Sequence, residues 1–417
     1  MDAKRERYTP NDVGPSPLEW KAPRLSEVST LITNGFVGTA TPFYTDITGV
    51  PYLYGTNVRA NKLETNEIRY VTREFHTAQS KTALKAGDLL TVQSGHIGET
   101  AVVTDQFHGA NCHALIVTRL KQEKADPHYL CFYVNSEIGR ARMKGLEVGS
   151  TILHINTKDL KKFRVLLPSL PEQKKIAQIL STWDKAISVT EKLLANSQQQ
   201  KKALMQQLLT GKKRLLDENG VRFSGEWCTC TLSEVAHIIM GSSPKSEAYN
   251  DNGLGLPLIQ GNADIKCRVS CPRVYTSDIT KECTPGDILL SVRAPVGTVA
   301  LSQHKACIGR GISAIKSKRK MSQSFLYQWF LWFEPKWCYL SQGSTFESIN
   351  SDDIKTLKLS VPNFEEQQKI AAVLSAADAE ISTLEKKLAC LRDEKKALMQ
   401  QLLTGKRRVK VDEAVAE

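Results

Sequence analysis

Apolar residues recur at alternating steps of four and three along two long stretches of the chain. In the first stretch the positions are Ile176, Leu180, Trp183, Ile187, Thr190, Leu194, Ser197, Lys201, Leu204 and Leu208. In the second they are Ile370, Leu374, Ala377, Ile381, Leu384, Leu388, Leu391, Lys395, Leu398 and Leu402. A seam sustained at 3.5 residues predicts coiled-coil helices. Ser169-Leu-Pro-Glu172 and Asn363-Phe-Glu-Glu366 fit a capping box, with a cap side chain and a Glu three residues on. Gly211 and Gly405 suit the left-handed position after a helix. The helices are therefore expected over about 170–210 and about 364–404. Lys201 and Lys395 interrupt the seam at the same heptad position, either to specify register or to be covered by another chain.

Elsewhere the pattern is shorter. AVVTD, ALIVTRL, DILLSV and ISAIK are alternating or β-branched runs bounded by Gly or Pro, and read as strands. SFLYQWFLWF reads as a brief helix, and NGFVGTATPFYTDITG and MGSSPKSEAYNDNGLG as loops. The fold class expected is mixed α/β (α+β) with much strand.

The two helical stretches are copies of one another. KKALMQQLLTGK occurs at 201–212 and at 395–406, and the alignment runs without a gap back to Pro168 and Pro362. Before it, GSTILHINTKDLKKFRVLLP (149–168) matches GSTFESINSDDIKTLKLSVP (343–362). Further upstream, Trp20 and LSEV (25–28) parallel Trp227 and LSEV (232–235). AGDLLTVQSGHIG (86–98) parallels PGDILLSVRAPVG (285–297). A self-match of domain size with only two copies implies a duplicated unit, not a solenoid. The segments expected are a flexible leader (1–19), a first globular domain (20–150) and a central region with the first long helix (151–226). A second globular domain (227–344) and a C-terminal region with the second helix (345–417) follow. Because domain termini usually lie close together, the second helix should start near the end of the first and run back. The expectation is an antiparallel coiled coil with a globular domain at each end and a pseudo-two-fold internal repeat.

Charge sharpens the picture. The net charge is +12, of which residues 150–226 carry +7 and residues 227–343 carry +5, against +2 for residues 20–149. Such a balance favours a polyanion, most simply nucleic acid. No apolar run approaches the ~20 residues of a membrane span, and the first residues have no apolar core of the kind a signal peptide needs. The ten cysteines, Cys338 among them, are irregularly spaced and expected to be reduced thiols; the CxC and CxxxC spacings around Cys228 and Cys267 are not the usual zinc spacing.

At this level of detail the chain resembles the specificity subunits of type I restriction-modification enzymes. PSLPEQKKIAQIL and PNFEEQQKIAAVL, each followed by ALMQQLLTGK, resemble that family's two conserved regions. The W…LSEV opening, the GD[IL]L…G strand-turn and the GST…IN closing resemble its target-recognition domains. The resemblance covers residues 20 to about 410. It implies that each globular domain reads one half of a bipartite, asymmetric site on double-stranded DNA. It also implies that the coiled coil sets the spacer and docks two modification (methyltransferase) subunits, which restriction (motor and nuclease) subunits join. S-adenosylmethionine, ATP and magnesium would then be bound by partner subunits and not by this chain, which would work in the bacterial or archaeal cytoplasm on the nucleoid. The modest +2 of the first domain departs from a uniformly basic reading face.

The residues themselves argue for no catalysis. No NPPY-type tetrapeptide and no GxxxxGK[ST] phosphate cradle occurs, and the eight His lack metal spacing. Two other readings are a non-catalytic coiled-coil scaffold and a bivalent DNA-binding regulator. DNA contacts are expected from Arg, Lys, Asn, Gln and small polar groups in matched loops. In the first domain these are Thr41, Tyr44, Asn57, Arg59, Lys62, Arg69, Arg73, Gln93, Ser94 and His96. In the second they are Ser243, Lys245, Gln260, Asn262, Lys266, Arg268, Arg273 and Arg293. Tyr52, Tyr54 and Tyr249 serve either DNA or the core. Spacer and docking roles fall to Glu172, Gln173, Lys201, Leu204, Leu208, Glu366, Gln367, Lys395, Leu398 and Leu402. The basic run Lys212, Lys213 and Arg214, with Lys174, Lys175 and Lys202, is expected to track phosphates or a partner.

Overall fold

A computed structural model of the chain describes residues 8–9, 13–14, 16–148, 153–337 and 348–411. Both GST triplets and Cys338, singled out above, lie outside the described residues. The chain divides into two compact units, Met1–Thr190 with Lys387–Glu417, and Glu191–Lys386. The unit boundaries therefore fall inside the long helices and not at the ends of the expected domains.

In the first unit an antiparallel sheet runs in the order Thr100–Val102, Leu89–Val92, Leu115–Leu120, Ser29–Asn34. A second sheet is ordered Asn111–Cys112, Val50–Leu53, Arg69–Val71, Tyr44–Thr45, and its first pair is parallel. All four residues of Leu89–Val92 are buried, because successive side chains enter different cores. Leu89 joins the cluster under the helices, whereas Leu90 and Val92 join the cluster with Leu53, Leu115 and Val117. The helix Pro127–Asn135 packs on the first of these and is capped by the Asp126 side chain.

The second unit repeats this plan. Its antiparallel strands run Val299–Leu301, Ile288–Ser291, Ile312–Ser317, Ala236–Met240. The second sheet contains Ala306–Ile308, Leu256–Ile259, Val274–Thr276, Tyr249–Asn250, again with the first pair parallel. Ile288 and Leu290 face the helix-side core while Leu289 faces the other. The aromatic helix Gln323–Phe333 takes the place of Pro127–Asn135. The four expected strand runs and this helix all form. The two LSEV segments form short helical turns, Leu25–Glu27 and Leu232–Val235, whose first amides donate to Phe163 O and Leu357 O.

The long helices span Leu170–Leu208 and Phe364–Leu402, 39 residues each. Gly211 and Gly405 adopt φ of +70° and +71°, the left-handed stop read from the sequence. Within each unit the segments of the two helices run antiparallel. In the first unit Lys395 Nζ meets Asp184 at 2.5 Å, and Ile176 and Leu180 share a core with Leu402. In the second, Lys201 is paired with Asp378, and Leu208 shares a core with Ile370 and Leu374. Each seam lysine is thus paired with an aspartate of the facing helix. Among the described residues no helix is long and apolar enough to cross a membrane.

Two expectations need correction. The leader is not loose up to residue 19: Tyr8–Thr9 pairs with Ser16–Pro17, and Val13 is buried in the first unit's core. Apolar cover for the helix end outweighs the Pro and Gly content there; Pro17 and Trp20 lie directly against Gly405. The capping boxes are also incomplete. Asn363 Oδ1 accepts the Glu366 amide as expected, but the Glu366 carboxylate turns to Arg214 instead.

Candidate nucleic-acid interface

The residues named for spacing and docking fasten the helices to the globular parts of their own units. Glu172 is 2% exposed and takes two hydrogen bonds from Arg408, at 2.6 and 2.8 Å. Glu366 is 0% exposed and takes two from Arg214, at 2.7 and 2.6 Å. Each arginine also lies over a tryptophan, Arg408 over Trp20 and Arg214 over Trp227. The next residue is a clamp in both units. Gln173 accepts from the Asp126 amide and donates to Pro168 O; Gln367 accepts from the Ser322 amide and donates to Pro362 O. Each glutamine thus ties a helix start to the cap of the neighbouring short helix. Leu208 and Leu402 are buried, and Leu204 and Leu398 half-buried, in the same cores.

The side chains of this group are thus engaged within the chain. Arg214 is likewise not a free cation of the basic run. Lys174, Lys175, Lys202, Lys212 and Lys213 are exposed as expected.

The DNA-contact candidates separate in the same way. Asn57 is buried; its Oδ1 accepts from the Tyr54 amide and its Nδ2 donates to Asn66 O, so it shapes a turn. Arg59 donates to Val58 O and Gly55 O. Arg273 pairs with Asp264 at 3.0 Å, and Arg268 pairs with Glu334 at 2.6 Å while donating to Val299 O. Lys62 meets Glu64 at 2.9 Å in an exposed pair. Asn57 is thus engaged in shaping its turn, while Arg59, Arg268 and Arg273 each commit one nitrogen to a protein partner, and the side chains of Arg268 and Arg273 remain 49% and 61% exposed. Gln93 and Asn262 are half-buried at the ends of a strand and a turn. Thr41, Arg73, Ser94, His96, Ser243, Lys245, Gln260, Lys266 and Arg293 are exposed.

Arg69 and Tyr44 belong to a group that sequence reasoning saw only in part. Arg69 donates to the Tyr44 hydroxyl at 2.9 Å, and that hydroxyl is also bonded to Tyr54. The guanidinium carbon sits 5.2 Å from the Tyr44 ring centre and 5.0 Å from that of Tyr54. Tyr54 stacks on His113 with ring centres 4.8 Å apart and planes at 27°. The Tyr52 hydroxyl lies 3.3 Å from His113 Nδ1. Burial first, and then the charge of Arg69, push the His113 ring below its ordinary pKa, so it is neutral at neutral pH. Burial raises the Tyr52 and Tyr54 phenols, which stay protonated. The result is a partly exposed aromatic surface carrying one fixed guanidinium. His113 was missed as a site residue because its place depends on a parallel strand pairing that no local pattern announces.

Comparison with known proteins gives one consistent family. The model for the type I restriction modification DNA specificity domain matches twice, over residues 17–196 and 224–391. The putative type I restriction enzyme MjaX specificity subunit of Methanocaldococcus jannaschii is 32% identical over 424 residues, covering 98% of each chain. The type I restriction enzyme MjaVIII specificity subunit of the same organism is 26% identical, covering 70% of this chain and 74% of the relative. Among solved structures, a chain described under complex assembly and conformational transition of the type I R-M system aligns with a TM-score of 0.58. It is 25% identical and covers 94% of this chain and 99% of its own. The type I restriction-modification S subunit from M. genitalium gives a TM-score of 0.62 at 15% identity over 92% of this chain and 96% of its own, a likeness of fold.

Proposed function

The chain belongs to the type I restriction-modification DNA specificity family, and from that membership we propose that it selects the DNA sequence on which a methyltransferase and nuclease complex acts. Each globular domain reads one half of a bipartite, asymmetric target on double-stranded DNA. The pair of long helices that both units share sets the number of base pairs between the halves. Two modification subunits dock on the chain and carry S-adenosylmethionine; restriction subunits carry ATP and magnesium. The chain itself performs no bond-making or bond-breaking step.

The observation that carries this reading is the doubling. The family model matches two stretches of one chain, and each stretch folds on the same frame of two sheets, a short helix and long-helix segments. A frame built twice with unlike surface side chains is suited to two unlike half-sites in a fixed order. Exposed Lys174, Lys175, Lys202, Lys212 and Lys213 supply sequence-independent attraction to phosphate.

The test is a methylation map. The chain is co-expressed with the adenine-specific modification subunit of its own system in a host lacking DNA methylation, and modified adenines are read by long-read sequencing. One bipartite motif with two short, unlike halves and a constant gap is the expected result. An active, co-purifying methyltransferase that modifies no defined motif would instead favour a scaffold that joins proteins.

A further inference from the structure

The two units share a frame so closely that corresponding residues are identified by their backbone hydrogen bonds. The amides of His113 and Gly309 donate to Leu53 O and Ile259 O, at 2.8 and 2.9 Å. The amides of Gly35 and Gly241 donate to Leu115 O and Ile312 O, and those of Phe36 and Ser242 to Cys112 O and Ile308 O. The amides of Tyr54 and Gln260 donate to the side chains of Asn57 and Asp264, both at 2.9 Å. Strand register completes the match: Tyr52 and Leu258, Tyr70 and Tyr275, and Arg69 and Val274 hold equivalent places.

Some residues are retained on this common frame. Pro51 and Pro257, Tyr70 and Tyr275, and Tyr44 and Tyr249 are the same type in both units. The side chains just past the parallel strand pair are wholly different. The first unit has the Tyr54–His113 stack beneath Arg69. The second has exposed Gln260 over Gly309, where an added Cβ would stand 3.1 Å from the Gln260 Cα and 3.5 Å from its Cγ. Among the described residues Arg69 forms no salt bridge with a carboxylate; its guanidinium donates to the Tyr44 hydroxyl and also interacts with that of Tyr54. The Gln260 side-chain amide has no hydrogen-bonded side-chain partner among the described residues.

We infer that the surface just past the parallel strand pair is where each unit reads a base, through Arg69 on the Tyr54–His113 platform in the first unit and through Gln260, the counterpart of Tyr54, in the second. The inference rests on the specificity function proposed above and names the residues that differentiate its halves. The chemistry separates the two bases. A planar guanidinium held against aromatic rings presents a fork that matches the two acceptors of guanine in the major groove. A primary amide donates and accepts at once, which matches adenine. The first unit's half-site therefore contains a guanine that Arg69 recognises, and the second unit's half-site contains an adenine that Gln260 recognises.

The experiment is the same methylation map run on two variants of the intact complex, Arg69→Val and Gln260→Ala. Arg69→Val installs the residue the second unit carries at that place. The expected result is that Arg69→Val relaxes one guanine in one half. Methylation at the corresponding single-mismatch sites rises by about tenfold or more relative to the cognate site, while the other half and the gap stay fixed. Gln260→Ala relaxes one adenine in the opposite half. If wild type itself gives no motif, the specificity function has failed. If wild type gives a motif and both variants keep it unchanged, or both relax the same half, only the present inference falls. Relaxation at another base overturns the base assignment. Uniform loss of methylation in a variant that melts and co-purifies like wild type would make that residue a phosphate contact and overturn its reading role. Should Arg69→Val fail to fold, Arg69→Lys keeps the charge without the fork and is expected to relax the same guanine.

Discussion

Single residues show how one motif serves two surroundings. Gly211 and Gly405 end the two identical segments at the same left-handed φ. A Cβ on Gly211 would meet the Trp227 ring at 3.4 Å, an ordinary contact. A Cβ on Gly405 would stand 2.4 Å from Pro17 Cγ, and the ring would have to move. Gly211→Ala should therefore cost only the left-handed penalty, about 1 kcal/mol. Gly405→Ala should add overpacking and reach about 2 kcal/mol or more. Thermal unfolding of the two variants side by side checks this; equal losses would mean that conformation alone sets the cost. Both glycines were legible as helix stops because a stop is a local signal. What lies against them was not, since Pro17 is joined to Gly405 only by the fold. The same limit applies to Arg408 and Glu172, 236 residues apart, and to the His113 ring under Tyr54. Arg69, Arg268 and Arg273 were legible by residue type, but their partners Tyr44, Glu334 and Asp264 are brought to them only by the fold.

At the scale of elements the seam was the strongest signal, and the helices end within two residues of the positions read from it. Its polar interruptions are resolved by the facing helix. Lys201 is 13% exposed beside Asp378, which also accepts from Gln328 Nε2 at 2.8 Å. Lys395 is 13% exposed beside Asp184. Each aspartate keeps more than a third of its side chain in solvent, so water screens the attraction. A double-mutant cycle on Lys201→Ala and Asp378→Ala should give a coupling of about 0.5–1 kcal/mol that shrinks in 1 M salt. A coupling near zero would assign register to the apolar seam alone. Strand runs were legible from alternation and from Gly and Pro boundaries, but the division of each sheet's two faces between separate cores was not. It depends on which element covers each face.

The whole molecule is assembled from segments distant in sequence. Residues 387–417 belong to the first unit with residues 1–190, and residues 191–386 form the second. Leu402 and Leu403 share the first unit's core with Tyr129, Leu130 and Tyr133, and Arg408 covers Glu172. Removing everything after Leu402 should therefore loosen the first unit selectively. Hydrogen exchange is expected to speed up in Pro127–Asn135 and to stay near wild type in Gln323–Phe333. Equal acceleration in both helices would show that the units do not respond separately.

This interleaving has a consequence for how the protein is made. Domains usually mature in the order in which they leave the ribosome. Here the first unit is begun before the second and finished after it, because residues of its core follow the whole of the second unit in the chain. At roughly 5–20 residues per second, about 10–40 s of synthesis separate its first part from its last. During that interval Ile176, Leu180 and the Glu172 carboxylate lack the residues after 386 that later cover them, and the second unit has its last segment by the time the interval ends. The half-site reader encoded first is the one completed second, and a chain cut short just after residue 386 carries every segment of the second reader beside an unfinished first.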